Sequence, residues 1–411
     1  MNSPNEKSSS KGAQYLTIFM CWLVYTIIYF GKYSYNANIS LIEQDYGVTH
    51  AQAGLVLTFF ALVYGIGQMI NGILCSMYPR RFTVPIALTV SALINLAVFL
   101  GVPFPYIKYL WIIDAAFLSV LWPEVMQVIS ENVGTELMPK AVLVMSTTTS
   151  AGTLLIYGVS ALNTQLGNYK LTFIVSTVIL LAVALLWPFL YRQGNFLVES
   201  EKSSGSSDLD LSRLKGWLIY VPFALFIILI IIAAFTKDGL QSWAPVILKQ
   251  LHGMPDSLSI MLTLILPLFG ILGAGGAVFL FKKLKSYIAL SLFFFFFISL
   301  FNLVITLFYN NVVVLIVSFG ILEFLLHGLV NVIVSIFPLA VRGRFSAGAV
   351  TGILNGVSYA GSAASSFLLG KIADDSGWPA VFITLFISAL IALALVIVYK
   401  LSALKKKELD F

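Results

Sequence analysis

Charged residues make up only 10% of this 411-residue chain, against about 25% in ordinary soluble domains. That scarcity excludes a water-soluble globule. There are two cysteines, Cys21 and Cys75, both within apolar runs, so a disulfide framework is excluded and each thiol reads as a small packing residue. Three histidines and two cysteines cannot build several metal centres, and no phosphate loop, paired catalytic acids or nucleophile triad occurs in the short polar segments. No catalysis, cofactor or metal is expected. What is abundant is apolar: 59% of residues are hydrophobic, with 32 Phe, 18 Tyr and 7 Trp. One core cannot hide that much apolar surface, so lipid must be the solvent. The formal net charge of +6 comes from basic residues clustered between apolar runs, the mark of membrane orientation and not of nucleic-acid binding.

Runs long enough to cross about 30 Å of hydrocarbon at 1.5 Å per residue lie near 15–42, 51–76, 82–102, 106–131, 140–166, 170–191, 216–249, 258–281, 285–308, 312–337, 345–371 and 377–401. They are too long for barrel strands and lack strict alternation, so each is a helix with its backbone bonds closed internally. The expected fold is an all-α membrane protein of twelve transmembrane helices. With both termini cytoplasmic, 18 basic residues fall in the inner segments and 4 in the outer ones, which sets a multi-pass protein of the cell membrane in that orientation. Residues 1–13 read as a disordered leader. The Ser-rich stretch 196–212 reads as a cytoplasmic linker between six-helix halves at 14–195 and 213–411. Basic clusters follow the second span of each half, Arg80-Arg81 and Lys282-Lys283. Two such halves around a midplane site are a transporter architecture, with a monomer as the expected unit.

Lys32 and Lys237 sit inside the first span of each half, where an ammonium costs about 2.5–3.5 kcal/mol at a helix centre. Either lysine could snorkel to an interface, but their matched positions point to two cations facing each other as one anion site. Tyr25, Tyr29 and Asn36 share a helical face with Lys32, span 2 repeats the pattern with Tyr64, Gln68 and Asn71, and Tyr25, Tyr29, Asn36, Tyr64 and Gln68 are expected to orient an anion held by the two lysines. Hydroxyl and amide stripes on spans 5 (Ser146, Ser150, Thr153, Tyr157) and 11 (Asn355, Ser358, Ser362, Ser366) are equally open to interhelical packing. Glu124 in span 4 and the i, i+4 pair Glu323 and His327 in span 10 are proton-coupling candidates. The competing reading of Glu323 and His327 is a mutually neutralised structural pair. Asp114 reads as structural, and Asp238 as a weak partner for Lys237, because adjacent residues point apart on a helix. Gly348, Gly352 and Gly356 form a close-packing ladder.

Several short pieces occur in a fixed order: Tyr29 and Lys32; Tyr64-Gly65 and Gly72 before Pro79-Arg80-Arg81-Phe82; Trp122-Pro123; Lys237-Asp238-Gly239-Leu240 before Trp243-Ala244-Pro245; and Ala347-Gly348 through Gly361 to Ser376-Gly377-Trp378. On these the chain resembles the major facilitator superfamily, and within it the organophosphate:phosphate antiporters typified by the bacterial glycerol-3-phosphate transporter. The resemblance implies that Lys32 and Lys237 stand where that family has phosphate-gripping arginines, Thr149 where it has a span 5 histidine, and Ser76 where it has a loop aspartate. Lysine keeps the charge and loses the bidentate fork. The expected function is secondary transport of a small organic anion, an organophosphate or a sugar acid, by alternating access. A proton-coupled symporter of a carboxylate and a transporter-like ligand sensor are the alternatives.

Overall fold

The computed structural model describes residues 11–74, 77–134, 136–193, 217–337 and 347–406. Cys75, Ser76, Arg342, Arg344 and the expected linker lie outside the described residues. Among the described residues twelve long helices follow one another: α1 Lys11–Ala37, α2 His50–Leu74, α3 Arg80–Phe99, α4 Phe104–Asn132, α5 Lys140–Gln165, α6 Leu171–Gln193, α7 Trp217–His252, α8 Asp256–Leu284, α9 Tyr287–Phe308, α10 Val312–Asn331, α11 Ala347–Ser376 and α12 Trp378–Lys406. Among the described residues, eleven are long and apolar enough to cross a membrane. The twelfth, α11, is a continuous 30-residue helix rich in Gly, Ser and Asn, because it packs between α2 and α7 instead of facing lipid. Lys11 to Ala13, expected in the leader, form the first turn of α1, with Lys11 paired to Glu136 at 3.3 Å. Span 1 ends at Ala37, and a short helix Ile39–Tyr46 follows it.

Proline shapes two spans. The α4 helix breaks after Leu118 and resumes at Leu121, and α8 breaks after Leu262 and resumes at Ile265. Pro123 and Pro267 stand four residues after Ser119 and Thr263, where a proline ring removes the i→i−4 bond and crowds that carbonyl. A π-helical turn, Val332–Ile336, extends α10.

Within the first half α1 lies against α4, α5 and α6, α3 against α6, and α2 against α4; in the second, α8 lies against α10, α9 against α12, and α7 against α10 and α11. The halves meet along α2 with α11 and α5 with α8. One end of the bundle carries the turns at 37–50, 99–104, 165–171, 252–256, 308–312 and 376–378, and is called the distal face here. The α2–α11 seam is tight from that face to the middle of the bundle. A Cβ on Gly54 would meet the Ser366 carbonyl oxygen at 2.1 Å, and one on Gly65 would meet Tyr359 Cβ at 2.6 Å. Toward the opposite end, a Cβ on Gly72 or Gly352 would meet nothing within 4 Å. The Gly356 rung of the expected ladder packs on Met69.

Candidate functional site

Period 3.6 places Tyr25, Tyr29 and Lys32 on the α1 face that looks toward α2 and α11. The Lys32 ammonium lies 4.4 Å from the ring centroid of Tyr64, 5.0 Å from Tyr359, 5.3 Å from Tyr33, 5.6 Å from Tyr29 and 5.9 Å from Phe60. It donates to Tyr359 Oη at 3.3 Å. Among the described residues no carboxylate lies within 4.0 Å of it. Ring faces stabilise a cation by roughly 0.5–2 kcal/mol each, and these rings come from both halves. Tyr25 and Tyr64 share a hydroxyl contact at 3.3 Å, Trp122 lies on Tyr25 at 4.6 Å, and Tyr29 Oη meets Thr149 Oγ1 at 2.7 Å. Asn355 donates to Gln68 Oε1 at 2.5 Å across the seam.

Lys237 differs from Lys32. Its ammonium pairs with Asp238 Oδ1 at 2.9 Å, and Ser362 of α11 donates to the other oxygen, Oδ2. The expectation that Asp238 is a poor partner is therefore corrected. Adjacent side chains do leave a helix in different directions, but the four-methylene stem of lysine spans that divergence, and a partly buried ammonium has few other acceptors. The side chains of Lys237 and Asp238 remain 15% and 23% exposed, so the pair borders open space and not solid core. Lys32 interacts electrostatically with both of them, as Lys237 does with Glu323. The two lysines share a site, yet among the described residues Lys237 has a paired carboxylate and Lys32 has none within 4.0 Å.

Glu323 and His327 contact each other at 3.4 Å, Glu323 buried, with α8 Gly270 against them. Glu124 is buried in α4 within the first half. Asn36 Nδ2 donates to Ser242 Oγ at 3.2 Å, which makes it a bridge between halves on the distal side of Lys32 and not part of the ring cluster. Tyr157, on the expected span 5 stripe, does the same by donating to the Gln241 carbonyl at 3.2 Å. Sequence reasoning missed Tyr33, Phe60 and Tyr359. The signal for Tyr359 was present, since it lies four residues after Asn355 and three before Ser362 on the same α11 stripe.

A second polar group closes the distal face. The Asp374 carboxylate of α11 accepts from the backbone N–H groups of His50 and Ala51 at 3.0 and 2.7 Å. His50 Nδ1 contacts Glu43 at 2.9 Å, and the ring lies near Trp243 and Trp378 at 5.5 and 5.4 Å. Lys249 pairs with Asp256 at 2.7 Å, and Ser40 donates to the same carboxylate from the other half at 3.0 Å. A shallow polar recess of about 300 Å³ lies over this cluster. Burial lifts the Glu43 carboxyl above its ordinary range, against the pull of His50.

The sequence pattern described as Major Facilitator Superfamily matches residues 21–366. A 96-residue segment is 27% identical to the membrane sensor protein UhpC of Escherichia coli, covering 23% of this chain and 22% of the sensor; this chain thus matches less than a quarter of that relative's length. A probable hexose phosphate transport protein of Chlamydia trachomatis is 22% identical over 92% of this chain and 89% of its own. Among solved structures, a bacterial homolog of the human lysosomal transporter Spinster, inward-facing and unoccupied, superposes with a TM-score of 0.78 at 14% identity, over 96% of this chain and 98% of that one. A mutant of the nucleoside transporter NupG gives a TM-score of 0.72 at 11% identity, over 94% and 99%. At these identities the likeness is one of fold.

Proposed function

The chain belongs to the Major Facilitator Superfamily, whose pattern covers residues 21–366, and as a member of that transporter family, we propose, it carries a small organic anion across the cell membrane by alternating access. The observation that carries this reading is Lys32: a buried ammonium, cupped by rings from both halves at the seam they share, with no carboxylate within 4.0 Å among the described residues. A buried charge with incomplete compensation favours an opposite charge from outside, and anion binding there would draw the halves together. Lys237 is the second cation, with Tyr25, Tyr29, Tyr64 and Gln68 orienting the solute and Asn36 holding the distal seam. The relative described as a probable hexose phosphate transport protein supports an organophosphate, and a sugar acid fits the same chemistry.

The charge bias of the sequence supports termini in the cytoplasm. On that orientation the sealed distal face is the outer one, and the protein is in an inward-facing state. Transport proceeds as residues 14–195 rock against 213–411 about the site. Glu124, and second to it Glu323 with His327, are the candidate carriers should transport be proton-coupled.

A thermal-shift screen of the purified protein over carboxylated, phosphorylated and neutral metabolites tests the reading. Anions should stabilise the wild type and lose that effect in Lys32→Ala, whereas stabilisation by neutral solutes alone would contradict it. The UhpC match supports one other reading, a membrane sensor that binds without exchange. Solute counterflow separates the two, because a sensor shows none.

A further inference from the structure

The positive charge in the central site is smaller than its two lysines suggest. Asp238 holds Lys237 at 2.9 Å and is itself fixed by Ser362 from the neighbouring helix. This carboxylate is an acceptor built into the site and not a chance surface contact. Glu323 adds a second carboxylate within electrostatic reach of Lys237, partnered by His327 at 3.4 Å. Counting Lys32 and Lys237 against Asp238 leaves one positive charge.

We propose that Asp238 sets the charge of the solute, so that the site selects a monovalent, hydroxylated carboxylate of the sugar-acid kind over a divalent phosphate ester. The inference rests on the anion reading above and narrows it. A phosphate monoester carries close to two negative charges at neutral pH, its second pKa being about 6. One of those charges would stay uncompensated beside Asp238 in a partly dehydrated site, where like charges repel more strongly than in water. The lysines also lack the planar fork that makes arginine a bidentate phosphate ligand. A carboxylate needs only one cation, and Lys32 supplies it. The remaining surface suits a polyol: ring faces of Tyr29, Tyr64 and Tyr359 for its C–H side, and the Gln68 and Asn355 amides with the tyrosine hydroxyls for its O–H groups.

The experiment compares affinities of the purified full chain for uronates and aldonates with those for the matching sugar phosphates, at pH 7.5 and pH 5. In the wild type at pH 7.5 the carboxylates should bind at least tenfold tighter. Asp238→Asn, which removes one negative charge, should narrow or invert that ratio by tenfold or more, and Asp238→Glu should restore it. As a check that needs no mutation, the wild-type ratio should narrow at pH 5, where the phosphate esters become monoanions and the carboxylates stay ionised. Tighter binding of the phosphates by the wild type, or a ratio unmoved by both Asp238→Asn and pH, would overturn the assignment while leaving an anion transporter intact. Failure of every sugar acid to bind would overturn it too, and the anion reading would then stand or fall on the wider screen with Lys32→Ala.

Discussion

Asp374 of α11 caps α2 from the opposite half, its two carboxylate oxygens accepting from the backbone of His50 and Ala51 at 3.0 and 2.7 Å. The first N–H groups of a helix have no internal partner, and an anion there also meets the positive end of the helix dipole. Asp374 thus supplies to α2, across the seam, what a capping residue supplies within one chain segment. Replacing a cap by alanine costs about 1 kcal/mol, roughly a fivefold change in population. Asp374→Ala should shift the distal face toward open by about that factor. Spin labels at Leu166 and Leu258, on either side of that face, would report a larger fraction of long distances; an unchanged distribution would mean the cap is incidental.

The seam makes a steric prediction. Gly54→Ala would put a Cβ 2.1 Å from the backbone oxygen of Ser366, and backbone on a packed helix has little room to yield. The variant should fold yet lose distal closure and most solute counterflow. Gly158→Ala, where nothing lies within 4 Å, should behave as wild type in both counterflow and thermal stability.

Glu43 makes the distal face sensitive to pH. Burial raises its carboxyl above the ordinary value, so the closed arrangement favours the protonated form. Its contribution to closure is full below about pH 4, the ordinary glutamate value, and is lost as pH rises through the raised value. The closed fraction, read by the same pair of labels, should fall with rising pH in the wild type. Glu43→Gln should flatten that dependence, and an identical slope in the variant would contradict the assignment.

Tyr359 contributes a hydroxyl and a ring to Lys32, and the two can be separated. Tyr359→Phe removes the 3.3 Å hydrogen bond and keeps the ring 5.0 Å away; it should weaken solute affinity several-fold, in line with about 1 kcal/mol for one hydrogen bond. Tyr359→Ala removes both and should weaken it further. Equal affinities for the two variants would show that the ring is a spacer only.

The spans were legible because apolar length is the strongest signal in a chain dissolved in lipid, and the breaks in α4 and α8 follow from Pro123 and Pro267. The α1 face of Tyr25, Tyr29 and Lys32 was legible for a similar reason, since helical period places those residues together whatever surrounds them. Tyr359 was not, because it reaches Lys32 only through a contact across 327 positions of sequence. The Lys237–Asp238 pair was misjudged because ideal helix directions ignore the reach of a lysine stem. The Asp374 cap was invisible: a carboxylate at the end of one helix gives no sign of the foreign helix it will serve.

Lys32 carries the account, and solute counterflow in proteoliposomes tests it most directly. With an anionic solute from the screen loaded inside, the wild type should take up labelled solute, Lys32→Ala should fall to the level of empty vesicles while keeping the wild-type elution profile, and Lys32→Arg should retain part of the activity because it keeps the charge. Counterflow of that anion by Lys32→Ala at the wild-type rate would contradict the account.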